Sequence, residues 1–184
     1  MQDLANAIKK QVQTSYSMTY KNKDGTTTKV ETTANVRVIN NISEASESDH
    51  LFQVVNKGDF SFSGYGRAPL NGNQVYLNEQ YVINMILGND NNTIPHELGH
   101  TGGLKHSDRI THMEFSDVFD GQHFIPCTPC VEDNVNNAMY SGFNPVIGGT
   151  YLNDKTSTEI NPAQIKVIQK NYEEDKLNKN TRGK

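Results

Sequence analysis

The 184-residue sequence predicts an α+β fold in a single domain, residues 1–184. Three observations predict it. Short runs of β-branched and aromatic residues concentrate before residue 80, apolar residues recur at helical spacing in separate stretches, and Gly, Pro and Asn punctuate the intervals. A chain of this length can bury a core without disulfide staples.

Asp3 to Gln13 carries Leu4, Ala5, Ala7, Ile8 and Val12 at mainly helical spacing and reads as an amphipathic helix. Ser15 to Tyr20 and Thr26 to Ile39 read as two antiparallel strands, with Asn22-Lys23-Asp24-Gly25 as the turn between them. His50 to Val55 is a further strand, and so is Gln74 to Asn78, after the turn signal Asn71-Gly72-Asn73. Val82 to Leu87 reads as a separate apolar helical turn. A longer helix then starts near Asn92 and runs to Leu104, since Pro95 fits only near a helix start. From His106 to Tyr151 the chain is polar and broken by Gly and Pro, which predicts loops over one face. Asn161 as N-cap and Pro162 at the first helical position open a last helix, with Ile165, Ile168, Gln169 and Tyr172 along one side. Residues 175–184 form a frayed, charged tail.

Composition narrows the function. With 17 basic against 21 acidic residues the net charge is −4, and no basic stripe is present to neutralise phosphates, so a nucleic-acid partner is not expected. No apolar stretch is long enough to span a membrane, and Met1-Gln2-Asp3-Leu4 lacks the positive segment and apolar run of a secretory leader. Abundant Asn, Thr and Ser suit a secreted or cell-envelope protein.

The chemistry concentrates in His96-Glu97-Leu98-Gly99-His100-Thr101-Gly102-Gly103-Leu104-Lys105-His106. On an α-helix, positions i and i+4 stand one above the other, so His96 and His100 can present both imidazoles to one metal ion. Glu97 projects beside them. Gly102 and Gly103 let the backbone turn through positive φ, and His106 follows as the third ligand. Three protein ligands and an open fourth position are what a catalytic zinc requires, and a neighbouring carboxylate can take the proton of its water.

At His96, Glu97, His100, Gly103 and His106 the chain resembles the metzincin clan of zinc endopeptidases, matching H-E-x-x-H-x-x-G-x-x-H at every position. Ser107 after the third histidine is similar to the matrixin branch. So is Asn137-Ala138-Met139-Tyr140-Ser141-Gly142, which resembles that branch's methionine turn and makes Met139 the Met-turn candidate; a plain core methionine is the alternative. Matrixins commonly carry proline where this chain has Ser141, and the interval from His106 to Met139 is longer than theirs.

The resemblance implies a metzincin-like catalytic domain: a mixed twisted sheet, an active-site helix and a C-terminal helix. It implies one catalytic Zn2+ on His96, His100 and His106, with Glu97 as general base and then acid in peptide-bond hydrolysis. The partner would be a peptide or protein substrate lying along an edge strand, for which Val75, Tyr76 and Leu77 in Gln74 to Asn78 are the nearest candidates. Residues after Met139 up to Tyr151 would line the pocket for a substrate side chain, and Tyr140 or Tyr151 could assist the oxyanion. A monomer is expected. Two other readings are a toxin or effector peptidase module from the C-terminal part of a larger secreted protein, and a non-catalytic zinc-binding module.

Cys127 and Cys130 in Pro126-Cys127-Thr128-Pro129-Cys130 lie outside this pattern. They read as a loop disulfide or free thiols, as two ligands of a second metal site with His112 and His123 nearest, or as a redox pair. His50, His112 and His123 otherwise read as loop histidines. Asp108, Asp117 and Asp120 could bind a structural Ca2+, although no loop matches a calcium motif.

Overall fold

The structure, a computed structural model, describes residues 1–56, 58, 64–106, 136–140 and 157–178, and the backbone of four short strands between residues 112 and 151. It is α+β, as expected. Helix α1 (Gln2–Ser15) turns Leu4, Ile8 and Val12 inward at intervals of four. It runs two residues beyond the predicted end and takes in Ser15, assigned above to a strand. Tyr16 explains the extension: it is buried, and its hydroxyl donates to the Pro95 carbonyl (2.7 Å), tying the end of α1 to the start of a later helix.

Strands β1 (Met18–Lys21) and β2 (Thr27–Val30) pair antiparallel around the predicted turn, with Gly25 at φ +85°. The second predicted strand is longer than the observed one. Its alternation persists, with Thr32, Ala34 and Val36 half-buried between exposed neighbours, yet residues 31–39 join no ladder among the described residues. Period two reports an extended backbone with an inner face; a ladder also needs a partner at the right distance.

Strands β3 (Leu51–Val55), β4 (Gly66–Arg67) and β5 (Gln74–Asn78) form one mixed sheet in the order β3-β5-β4. β5 runs parallel to β3 and antiparallel to β4. This corrects the edge-strand expectation. β5 is the central strand, with the Val75 and Leu77 side chains fully buried away from any substrate, whereas β4 is an edge among the described residues. Tyr76 is half-buried, with its hydroxyl donating to Gln74 Oε1.

A single 3-10 turn (Glu79–Tyr81) and the short α2 (Val82–Ile86) lead to α3 (Thr93–Thr101), which ends three residues before the predicted Leu104. The core lies between α1, the sheet and α3, joining Leu4, Ile8 and Val12 with Val75, Leu77, Met85 and Ile94. Between residues 112 and 151 loops were expected, but the backbone forms two antiparallel pairs, β6 (His112–Phe115) with β7 (Gln122–Ile125) and β8 (Phe143–Asn144) with β9 (Thr150–Tyr151). His112 and His123 are therefore strand residues. Strands of four and two residues are too short for a period to stand out in sequence. His50 is exposed, directly before β3.

Helix α4 (Pro162–Glu173) begins as predicted, with Asn161 and Gln164 forming a reciprocal capping box. Its inner face is rotated from the predicted one. Gln164 is fully buried and Tyr172 is 75% exposed, because Gln164 finds an amide partner in the interior and turns the helix toward it. No helix among the described residues is long and apolar enough to cross a membrane.

Candidate metal centre

Helix α3 owes its start to Asp90. Its Oδ1 accepts from the backbone N–H groups of Asn92 and Thr93 (both 3.0 Å) and its Oδ2 from the Thr93 hydroxyl, filling the role of a cap. Pro95 falls in the first turn, where backbone donors have no intrahelical partner and a missing N–H costs nothing.

The helix stops at a Schellman turn. Leu104 N–H donates to the Gly99 carbonyl and Gly103 N–H to that of His100, each at 2.9 Å, with Gly103 at φ +85°. A Cβ there would overlap Asn171 and Asn71, so space and dihedral both demand glycine. The turn is held from outside by Asn171, which donates to the Gly102 carbonyl (3.1 Å), and by the Asn71 N–H on the His100 carbonyl (2.9 Å). It sends the chain back along α3 and brings in His106.

His96, His100 and His106 converge. Their donor atoms all lie within 4.8 Å of one another, and His96 Nε2 stands 3.2 Å from Nε2 of both His100 and His106. Ligands sharing a tetrahedral ion at about 2.0–2.1 Å lie about 3.3–3.4 Å apart, so the spacing fits. The tautomers fit as well. His96 Nδ1 contacts the Ala138 carbonyl (2.7 Å) and His100 Nδ1 that of Leu104 (2.8 Å). A carbonyl only accepts, so each Nδ1 carries the proton and the neutral ring leaves Nε2 bare. Two bare lone pairs 3.2 Å apart repel unless a cation lies between them. Burial, and secondly the neighbouring His96, push the pKa of buried His100 down to about 3, which keeps it neutral and able to ligate. The three histidines can therefore hold a metal ion. Imidazole donors suit zinc, and also copper, iron and nickel.

Glu97, one position after His96, is buried, and its pKa is pushed up to about 8. Burial is the main cause; a hydrogen bond from the Ala68 N–H and the charge of Arg67 oppose it. β4 supplies this environment. A Cβ on Gly66 would come within 2.8 Å of Glu97 Cγ and Thr93 Cγ2, so only glycine lets the strand lie this close to α3. Sequence reading missed Gly66, Arg67 and Ala68, since two strand residues carry almost no periodic signal.

Met139 sits fully buried in a tight turn, where the Tyr140 N–H donates to the Asn137 carbonyl (2.9 Å). Its sulfur lies against Gly99, between His96 and His100 on α3, where any Cβ would overlap it. Tyr140 is half-buried. Tyr151 is in β9, but its side chain lies outside the described residues, as do Cys127, Cys130, Ser107, Asp108, Asp117, Asp120 and Ser141. Comparison of the chain with protein-family models, curated proteins and solved structures found no match. The site is thus defined by its own geometry, three convergent imidazoles with a buried carboxyl on the helix that carries two of them.

Proposed function

We propose that the chain is a zinc-dependent endopeptidase of the metzincin kind. The observation that carries this reading is the pairing of bare Nε2 atoms on His96 and His100 with His106 beyond the glycine turn, all on or beside the helix that bears Glu97. His96, His100 and His106 would hold the ion. Bound there, zinc supplies a lowered pKa for its water and polarisation of a carbonyl.

The protein's own groups account for the rest. Glu97 sits where burial favours its protonated form, so it can accept a proton from water and keep it long enough to pass it to a leaving amine. Arg67 and the Ala68 amide oppose that preference only in part, and a cation held by the three histidines would favour the ionised carboxylate that takes the proton. An extended substrate fits along the edge strand β4, beside Glu97, rather than along β5. The buried Met139 packs under α3 in a manner consistent with the Met-turn reading.

Metal analysis of the purified chain, joined to hydrolysis of an unstructured protein, tests the proposal. One zinc per chain is expected, and Glu97→Gln should keep the metal while losing about 10²–10⁴-fold in rate. Metal retained with no hydrolysis by the native chain would favour the non-catalytic module, and no bound metal would end the zinc reading.

A further inference from the structure

Asn92 occupies the N-cap position of α3 but caps nothing there, because Asp90 has taken that task. Its buried carboxamide instead points across the molecule. Nδ2 donates to the Ala138 carbonyl (3.0 Å) and to the Ser157 carbonyl, using both of its hydrogens. His96, one helical turn later on the same face, donates Nδ1–H to that same Ala138 oxygen. Both lone pairs of one carbonyl, 42 residues beyond His96, are thus filled by two side chains of a single helix.

We propose that Asn92 is a positioning residue for the metal centre: through the shared Ala138 carbonyl it holds His96 as the Nδ1–H tautomer with Nε2 aimed at His100 and His106. The proposal rests on the metal-centre reading above. Partners that grip the far nitrogen of a ligating imidazole set its tautomer and orientation, and losing them typically weakens metal binding about 10–100-fold. The Ala138 carbonyl needs such a grip, because it lies in a turn joined to α3 by no backbone hydrogen bond among the described residues. The opposite side of that turn is braced separately. Asn137 and Gln164 exchange two hydrogen bonds (2.9 and 3.0 Å), and the Ala138 N–H donates to the Glu159 carbonyl (2.8 Å). Asn92 closes the remaining side. The residue has to be an amide, since aspartate would set lone pairs against two carbonyl oxygens.

Nitrogen-15 NMR of the histidines in metal-free protein, with Zn2+ titration, tests this on the native chain, Asn92→Ala and Asn92→Asp. Leu4→Ala serves as a control that destabilises the core from α1 without removing a hydrogen bond of the Ala138 turn. The native chain should show His96 as Nδ1–H, both Asn92 variants a mixture of tautomers, and Zn2+ affinity should fall about 10–100-fold beyond any fall in the control. A native His96 in the Nε2–H form overturns the proposal without recourse to a variant. So do variants whose His96 tautomer and Zn2+ affinity match the control. If the tautomer shifts as expected but the native chain takes up no Zn2+, the positioning role stands and the metal-centre reading fails.

Discussion

His100 and His106 reach the same point by different routes. His100 stands in a regular helix, buried, its ring tied to a carbonyl four residues on. His106 lies past the helix end, half-buried, and depends on one glycine at φ +85° and two asparagines that hold the turn. The first ligand is inherited from helical periodicity; the second depends on a dihedral that ordinary residues avoid. The weak point of the centre is therefore the arm that returns to the ligands, more than the ligands themselves.

The largest break in that comparison should come from Gly103→Ala. A left-handed residue costs about 1–2 kcal/mol and overpacking about 1–3 kcal/mol, so destabilisation of roughly 2–5 kcal/mol is expected by denaturant titration. Metal affinity should fall with it, while His96, held by the Ala138 carbonyl, keeps its tautomer. Gly99→Ala acts on the helical half. Alanine would normally favour a helix by about 1 kcal/mol, but here it meets Met139 and Tyr16, so a net loss of about 0.5–2 kcal/mol is expected. Adding Met139→Ala should recover part of that loss as a coupling energy, and strict additivity of the two changes would refute the contact.

A gentler distinction lies in pH. In the metal-free protein Glu97 keeps its proton up to about 8 instead of the ordinary 4.5, so the native state binds more protons there and stability declines as pH rises through that window. His100 stays neutral down to about 3 instead of taking a proton at 6.5, so stability declines as pH falls below 6.5. Between 4.5 and 6.5 the two slopes oppose each other. Melting temperatures of metal-free protein should peak there, and added metal, which favours ionised Glu97 and unprotonated imidazoles, should move the peak upward. The smallest effect belongs to an exposed ion pair on α4 that touches neither arm. Lys170→Ala removes an exposed pair with Glu174 at 3.8 Å and should change stability by less than about 0.5 kcal/mol.

Much of the centre was legible in sequence because its logic is local. The four-residue spacing of His96 and His100, the glycine that must turn the chain, and the Asn161-Pro162 start of α4 each follow from the geometry of a few consecutive residues. Tyr172 shows where that logic ends: its spacing placed it on the inner face of α4, and a buried amide pair between Gln164 and Asn137 rotated it out. β5 shows the same limit, since its residues were read correctly as a strand and wrongly as an edge.

Which side chains could meet a metal follows from the order of residues along the chain, because helical periodicity and the steric demands of positive φ act within one or two turns. Tertiary structure alone decided which nitrogen of His96 carries the proton, how strongly Glu97 holds its own, and which strand is left open beside them. Those depend on the Ala138 carbonyl, the Ala68 amide and the order β3-β5-β4, partners 42, 29 and more residues away or set by the whole sheet. Hydrogen-bond direction and desolvation belong to the assembled interior, and no spacing along the chain encodes them.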